Sequence, residues 1–111
     1  MSKIKFITLE QLMEMDVNGQ KFKLVEVLDE GSYKKGHLPG AMNIPLDELK
    51  SKAKKKLKKN EMIVVYCASY SCPASTNAAA LLGKMGYKKV LDYKAGKNGW
   101  KDAGLELEKS K

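Results

Sequence analysis

The chain has 111 residues and a formal net charge of +8 at pH 7, with 21 Lys and Arg residues against 13 Asp and Glu residues. This length suits one domain with its own hydrophobic core. The sequence has no internal repeat and no apolar run long enough to cross a bilayer. All of the basic residues are lysines, which excludes any site that needs the planar guanidinium of arginine to hold a phosphate.

The first residues, Met1 to Phe6, lack the apolar stretch of a secretory signal. We therefore expect a cytoplasmic protein without a membrane or nucleic-acid partner. The chain contains two cysteines, Cys67 and Cys72. In a reducing compartment such cysteines are more often free, catalytic or redox-active than joined in a structural disulfide.

Seven lysines lie between Lys50 and Lys59. In the same segment Leu46, Leu49, Ala53 and Leu57 recur at spacings of three and four residues, which predicts an amphipathic helix with its lysines facing solvent. A solvated face is the simpler interpretation of this charge. Attraction of an anionic partner or substrate is the alternative.

The first third of the chain predicts strands that alternate with helices. The elements are an edge strand at Phe6–Ile7, a helix capped by Thr8 from Leu9 to about Met15, a turn at Asn18–Gly19, and a strand within Phe22–Leu28. Glu26 interrupts the apolar residues of that second strand. A carboxylate there is costly unless it lies near the strand end or is paired.

The rest of the chain continues the alternation. We predict a helical turn at Ser32–Lys35 ended by Gly36, a strand at Ala41–Asn43, the lysine-rich helix opened by Asp47, a strand at Met62–Tyr66, a helix from Pro73 to Gly86, a strand at Lys89–Tyr93, a loop at Lys94–Gly99, and a short helix at Trp100–Ala103. This order favours a parallel sheet covered by helices on both faces. Sites in such sheets form at the carboxyl ends of the strands, where Cys67, Asp29 and Lys94 lie.

Cys67 stands between a buried strand and a helix that Pro73 begins, with Ser71 or Cys72 available to cap the first turn. Backbone N–H groups and the helix dipole at this position stabilise an anion. We therefore expect a lowered thiol pKa and a nucleophilic sulfur. The alternative is that Cys67 is a small buried apolar residue at the end of a strand.

Three segments together resemble a single-domain rhodanese, and the resemblance spans about residues 8 to 108 of one domain covering 1–111. They are Tyr33-Lys34-Lys35-Gly36-His37-Leu38-Pro39-Gly40-Ala41, Val64-Val65-Tyr66-Cys67 with its six-residue loop, and Gly99-Trp100-Lys101-Asp102-Ala103-Gly104-Leu105. The resemblance implies a three-layer α/β fold whose central, mostly parallel sheet has five strands and carries helices on both faces.

The resemblance also implies a sulfurtransferase that needs no metal or cofactor. Cys67 would carry sulfane sulfur as a persulfide, taken from thiosulfate or polysulfide and passed to a thiol, cyanide or a protein acceptor. The amides of the loop residues Ala68, Ser69, Tyr70, Ser71 and Cys72 would surround the persulfide as an anion-binding nest. Lys94 and Lys97, outside this uncharged loop, are the candidates for attracting an anionic donor.

Two positions depart from the family pattern. Glu26 and Leu28 stand where relatives usually have an aspartate followed by an arginine, so Leu28 cannot pair or orient any group electrostatically. His37 and Trp100 are interpreted as structural residues, since a catalytic base must first lie within reach of the thiol.

Cys72 supports two hypotheses. It packs against or caps the following helix, or it is a resolving thiol that attacks a persulfide on Cys67 and releases hydrosulfide. Two other functions also stay open, namely a dithiol redox enzyme using both cysteines and a non-catalytic rhodanese binding module. Phosphatase and arsenate reductase chemistry is not expected, because no arginine ends the loop and Pro73 follows it.

Overall fold

The computed structural model describes residues 4–109. It contains five strands, β1 (Lys5–Ile7), β2 (Lys23–Glu26), β3 (Met42–Asn43), β4 (Ile63–Tyr66) and β5 (Val90–Tyr93). The helices are α1 (Leu9–Val17), α2 (Glu30–Lys35), α3 (Leu46–Lys56), α4 (Ala74–Lys84) and α5 (Gly96–Asp102). The strands form one sheet in the order β1-β5-β4-β2-β3, and every pairing is parallel.

Both faces of the sheet are covered, because β4 alternates its apolar side chains between two cores. Ile63 and Val65 pack with residues of α3 and α4, while Val64 and Tyr66 pack with residues of α1 and with Trp100 of α5. A central parallel strand buried on both faces reads as a continuous apolar run, as here. The predicted three-layer α/β fold is therefore confirmed.

The lysine-rich segment is the amphipathic helix that its spacing predicts. Leu49 and Ala53 of α3 are fully buried, and all seven lysines from Lys50 to Lys59 are exposed. The helix begins at Leu46, one residue before the predicted Asp47, with Pro45 as its N-terminal neighbour.

The start of α1 follows its predicted capping. The Thr8 hydroxyl accepts a hydrogen bond from the Gln11 amide, and the Gln11 side chain accepts one from the Thr8 amide. This reciprocal pair satisfies two amides that a helix start leaves free. The helix runs two residues beyond the predicted end near Met15.

Three other boundaries differ from the prediction. β2 is shorter than Phe22–Leu28, α2 begins two residues before Ser32, and α5 begins at Gly96 within the segment predicted as a loop. Within residues 4–109, none of the helices has the length and apolar character required to span a membrane.

Candidate functional site

Cys67 lies directly after β4, the central strand of the sheet. The last residue of β4, Tyr66, is in register with Glu26 of β2 on one side and with Tyr93 of β5 on the other. The carboxyl ends of three parallel strands therefore surround the start of the segment 67–72, which we call the cysteine loop. This is the edge at which open α/β sheets form their sites.

The cysteine loop is closed by contacts of its own backbone and hydroxyl groups. The Cys72 amide donates to the Ser69 carbonyl at 3.1 Å, and the Ser69 and Ser71 hydroxyls lie 3.0 Å apart. Tyr70, at the tip, is 67% exposed, whereas Cys67 is 0% exposed. The loop thus covers one sulfur and presents an aromatic ring to solvent.

The Cys67 thiol contacts the last residue of its own loop. It donates a hydrogen bond to the Cys72 carbonyl oxygen at 3.3 Å. The amide that lowers the pKa of the Cys67 thiol is that of Ser75, in the first turn of α4. An anion-binding nest made by the amides of the cysteine loop stays a prediction.

No sequence pattern pointed to Ser75. It is fully buried, and its hydroxyl makes no hydrogen bond within the described residues. The hydroxyl and the amide of Ser75 both act to lower the pKa of the Cys67 thiol. A hydroxyl residue in the first turn after a reactive-cysteine loop is the signal that could have found it.

The pKa values of the two thiols are shifted in opposite directions. Burial raises the pKa of the Cys67 thiol, and its hydrogen bond to Cys72 adds to this effect. Burial also opposes ionisation of Cys72, but the Cys67 thiol, the Ala74 and Ala68 amides and the Lys94 charge outweigh it and lower the pKa of the Cys72 thiol. The helix N-terminus therefore stabilises an anion on Cys72, and the predicted lowered pKa at Cys67 is wrong.

Lys94 follows β5 and reaches the cysteine loop. Its ammonium donates to the Cys72 carbonyl oxygen at 2.7 Å. This carbonyl accepts from both Lys94 and the Cys67 thiol, and the lysine charge acts to lower the pKa of the Cys72 thiol.

Lys97 points to a different place. Its ammonium lies 2.9 Å from a carboxylate oxygen of Glu26 and donates to the Ser32 carbonyl at 2.9 Å. Its charge is therefore directed at a buried carboxylate below the loop.

Glu26 is fully buried and bonded on both of its oxygens. Besides the Lys97 pair, it accepts a hydrogen bond of 2.8 Å from the Tyr66 hydroxyl, which itself accepts one from the Leu38 amide at 3.0 Å. Burial raises the pKa of the Glu26 carboxyl, and Lys97 and Tyr66 offset this effect only in part. The pairing that a charged residue in β2 requires is thus present.

The N-terminus of α5 supports the cysteine loop from below. The amides of Lys97 and Asn98 donate to the carbonyls of Cys67 and Ala68 at 3.0 and 2.8 Å. Gly96 has a φ of +60°, and a β-carbon there would lie 2.3 Å from the Cys67 carbonyl oxygen. Only glycine allows this approach without moving the loop.

His37 and Trp100 make packing contacts. The His37 ring stacks on Tyr33 with ring centroids 3.9 Å apart, and its backbone pairs with Glu108. The Trp100 indole N–H donates to the Glu106 carbonyl at 2.9 Å. These contacts support the structural interpretation of both residues.

Comparison with known proteins gives a consistent result. A family model described as "Rhodanese-like domain" matches residues 8–103. The putative sulfur carrier protein YrkF of Bacillus subtilis is 31% identical over 99 residues, which cover 89% of this chain. The chain spans about half the length of that relative, 52%. The thiosulfate sulfurtransferase GlpE of Shewanella oneidensis is 28% identical over 103 residues, covering 93% of this chain and 98% of GlpE.

Solved structures share the fold. The rhodanese-like domain of the Alr3790 protein from Anabaena sp. superposes with a TM-score of 0.85 at 28% identity, covering 98% of this chain and 81% of that domain. The family match, which spans most of the chain, agrees with the five-stranded parallel sheet and the cysteine after its central strand. The chain belongs to the rhodanese-like domain family.

Proposed function

We propose that the protein is a sulfurtransferase that carries sulfane sulfur as a persulfide on Cys67. The observation that supports this most directly is the position of Cys67 at the carboxyl end of the central strand, where the amide and hydroxyl of Ser75 both act to lower the pKa of its thiol. Donors in that position stabilise negative charge on a sulfur atom without a metal or a cofactor.

Loading of Cys67 would proceed by nucleophilic attack. With thiosulfate, the Cys67 sulfur attacks the outer sulfur, a new S–S bond forms, and the original S–S bond breaks as sulfite leaves. With polysulfide the leaving group is a shorter polysulfide. A thiol or cyanide acceptor then attacks the outer sulfur of the persulfide and restores Cys67.

Access to Cys67 requires the cysteine loop to open, because this residue is 0% exposed. The loop is held by short-range contacts such as the bond between the Cys72 amide and the Ser69 carbonyl. The exposed Tyr70 ring lies at the tip of that loop. We assign residues Ala68, Ser69, Tyr70, Ser71 and Cys72 to substrate binding, with Tyr70 as the contact for a protein acceptor.

Lys94 would attract and hold an anionic donor. Its ammonium lies at the cysteine loop and is half-buried, so its field is less screened than that of a surface lysine. Because the chain has no arginine, this lysine is our candidate for the cation that holds an anionic donor.

Two relatives support sulfur transfer as the reaction class, since YrkF is named a putative sulfur carrier protein and GlpE a thiosulfate sulfurtransferase. For this chain we propose thiosulfate or polysulfide as donor and a cytoplasmic location. Both cysteines are free in the structure, which suits a reducing compartment.

The test is intact mass spectrometry after incubation with thiosulfate or with polysulfide, using the parent protein, Cys67→Ser and Cys72→Ser. Immediately after mixing, we expect the parent and Cys72→Ser to have gained one sulfur atom that cyanide removes and that Cys67→Ser does not acquire. A sulfur gain that occurs in the parent and in Cys67→Ser but not in Cys72→Ser would place the persulfide on Cys72 and contradict the proposal. The absence of any gain in all three proteins would favour a binding module.

A further inference from the structure

The cysteine loop contains a second thiol whose surroundings differ from those of Cys67. Cys72 is partly exposed, and it is the residue whose backbone accepts the hydrogen bond of the Cys67 thiol. The Cys67 sulfur lies 3.3 Å from the Cys72 carbonyl oxygen. The loop therefore folds back so that its first and last residues meet.

The groups around Cys72 are those that stabilise a thiolate. The amides of Ala68 and of Ala74, the second at the start of α4, both act to lower the pKa of its thiol. The ammonium of Lys94, which donates to the Cys72 carbonyl at 2.7 Å, adds a positive charge. Amides of this kind and a nearby lysine are the features that make a cysteine nucleophilic.

We propose that Cys72 resolves the persulfide on Cys67, forming a Cys67–Cys72 disulfide and releasing hydrosulfide. This inference rests on the function proposed above, since it needs the Cys67 persulfide as its substrate. It changes the product of the reaction, because the sulfur leaves the protein as free sulfide without an external acceptor.

The proton of the Cys67 thiol is accounted for in both steps. During loading, the Cys67 thiol gives up its proton to the neighbouring Cys72 thiolate, and the Cys67 sulfur attacks the donor. In the second step the Cys72 sulfur attacks the inner sulfur of the Cys67 persulfide. The bond between the inner and outer sulfurs breaks, the Cys67–Cys72 bond forms, and the outer sulfur leaves with the proton from Cys72 as hydrosulfide.

The electrons also balance in this scheme. The sulfane sulfur is reduced by two electrons to sulfide, and the two cysteines are oxidised by two electrons to a disulfide. A dithiol, either a small molecule or a protein, then reduces the disulfide and is itself oxidised to a disulfide. The protein would thus convert a sulfane donor and a dithiol into sulfide.

The test loads the protein with inorganic polysulfide, removes excess donor, and follows released sulfide and intact mass in the absence of any thiol. We expect the parent to lose its added sulfur as sulfide and to finish two hydrogens lighter than the reduced protein. Cys72→Ser should retain the persulfide, with sulfide release at least about tenfold slower. Cys72→Ala, which also removes the polar group, should behave as Cys72→Ser does.

A dilution series separates this step from exchange between molecules. An intramolecular attack gives a first-order rate that does not change with protein concentration, whereas a rate that rises with concentration would contradict the proposal.

The two proposals fail in different ways. If the parent and Cys72→Ser take up sulfur and hold it equally long, the resolving role is overturned and the persulfide carrier stands. If neither protein takes up sulfur on Cys67, both proposals are overturned. Circular dichroism melting of Cys72→Ser establishes that its loop change leaves the fold intact.

Discussion

Glu26 and Lys97 form a buried charge pair below the cysteine loop, with the Glu26 carboxylate at 0% exposure and the Lys97 side chain at 12%. Lys97 also supports the loop through its amide, which bonds the Cys67 carbonyl. Neither residue touches the sulfurs in this structure. We interpret the pair as a positioning element for the cysteine loop.

Removing one partner of this pair should destabilise the fold more than removing both. Lys97→Met leaves a buried carboxylate without its cation, which typically costs about 3–5 kcal/mol. Glu26→Gln with Lys97→Met removes both charges and should recover part of that loss. Urea denaturation of the two single variants and the double variant measures the coupling, and strictly additive losses would contradict the pairing.

The same variant has a defined pH dependence. Burial raises the pKa of Glu26, and Lys97 is the first of the groups that lower it. Without Lys97 the pKa rises further, so the folded Lys97→Met protein keeps a proton that the unfolded chain has released. Its stability relative to the parent should therefore fall as the pH rises above the ordinary pKa of a glutamate, about 4.3. A difference that stays constant above that pH would contradict the assignment.

Lys94 should control the reactivity of Cys72. In a Cys67→Ser background, Lys94→Met removes a positive charge that lowers the pKa of Cys72. The pH profile of alkylation by iodoacetamide should therefore move to higher pH. Lys101→Met is the matched control, since it removes an equal charge from an exposed position on α5. Equal profiles for both variants would show that Lys94 acts only through net charge.

At the scale of elements, the turn between β5 and α5 sets the position of the cysteine loop. Gly96 and Gly104 both have positive φ, +60° and +82°, but only Gly96 packs against the Cys67 carbonyl. Alanine at either position should cost about 1–2 kcal/mol of backbone strain. Gly96→Ala should also displace the loop and reduce sulfur loading, whereas Gly104→Ala should not, as measured by intact mass after polysulfide treatment.

The strands and most helices follow from local patterns, as β4 and α3 show. Their apolar spacing is long or regular enough to determine the element and its buried face. The start of α5 could not be predicted this way, because Gly96 and Gly99 disfavour a helix. The amides of Lys97 and Asn98 bond the carbonyls of the cysteine loop instead, and this contact depends on the assembled sheet.

The candidate site was likewise predictable from the sequence only in part. Cys67 and its position after a central strand follow from the sequence, and so does the need of Glu26 for a partner. The identity of that partner does not, since Lys97 lies far along the chain and meets Glu26 only through the sheet. The direction of the two thiol pKa shifts depends on which sulfur faces the amides, and a residue pattern does not encode that orientation.

At the scale of the whole molecule, the formal net charge of +8 should favour anionic donors. Long-range attraction raises encounter rates and is screened by salt over about 10 Å at 0.1 M. Loading of Cys67 by thiosulfate should therefore slow as sodium chloride is added, while loading by a neutral organic trisulfide should not. Equal salt dependence for both donors would contradict the claim that the net charge of the protein speeds loading by an anionic donor.

The central claim is that Cys67 carries the transferred sulfur, and locating that sulfur tests it most directly. The Cys72→Ser protein is loaded with polysulfide, the persulfide is trapped with an alkylating agent, and tandem mass spectrometry identifies the modified residue. The account predicts one additional sulfur on Cys67, removed by cyanide. A persulfide on no residue, or Cys67 alkylated without the additional sulfur, would contradict it.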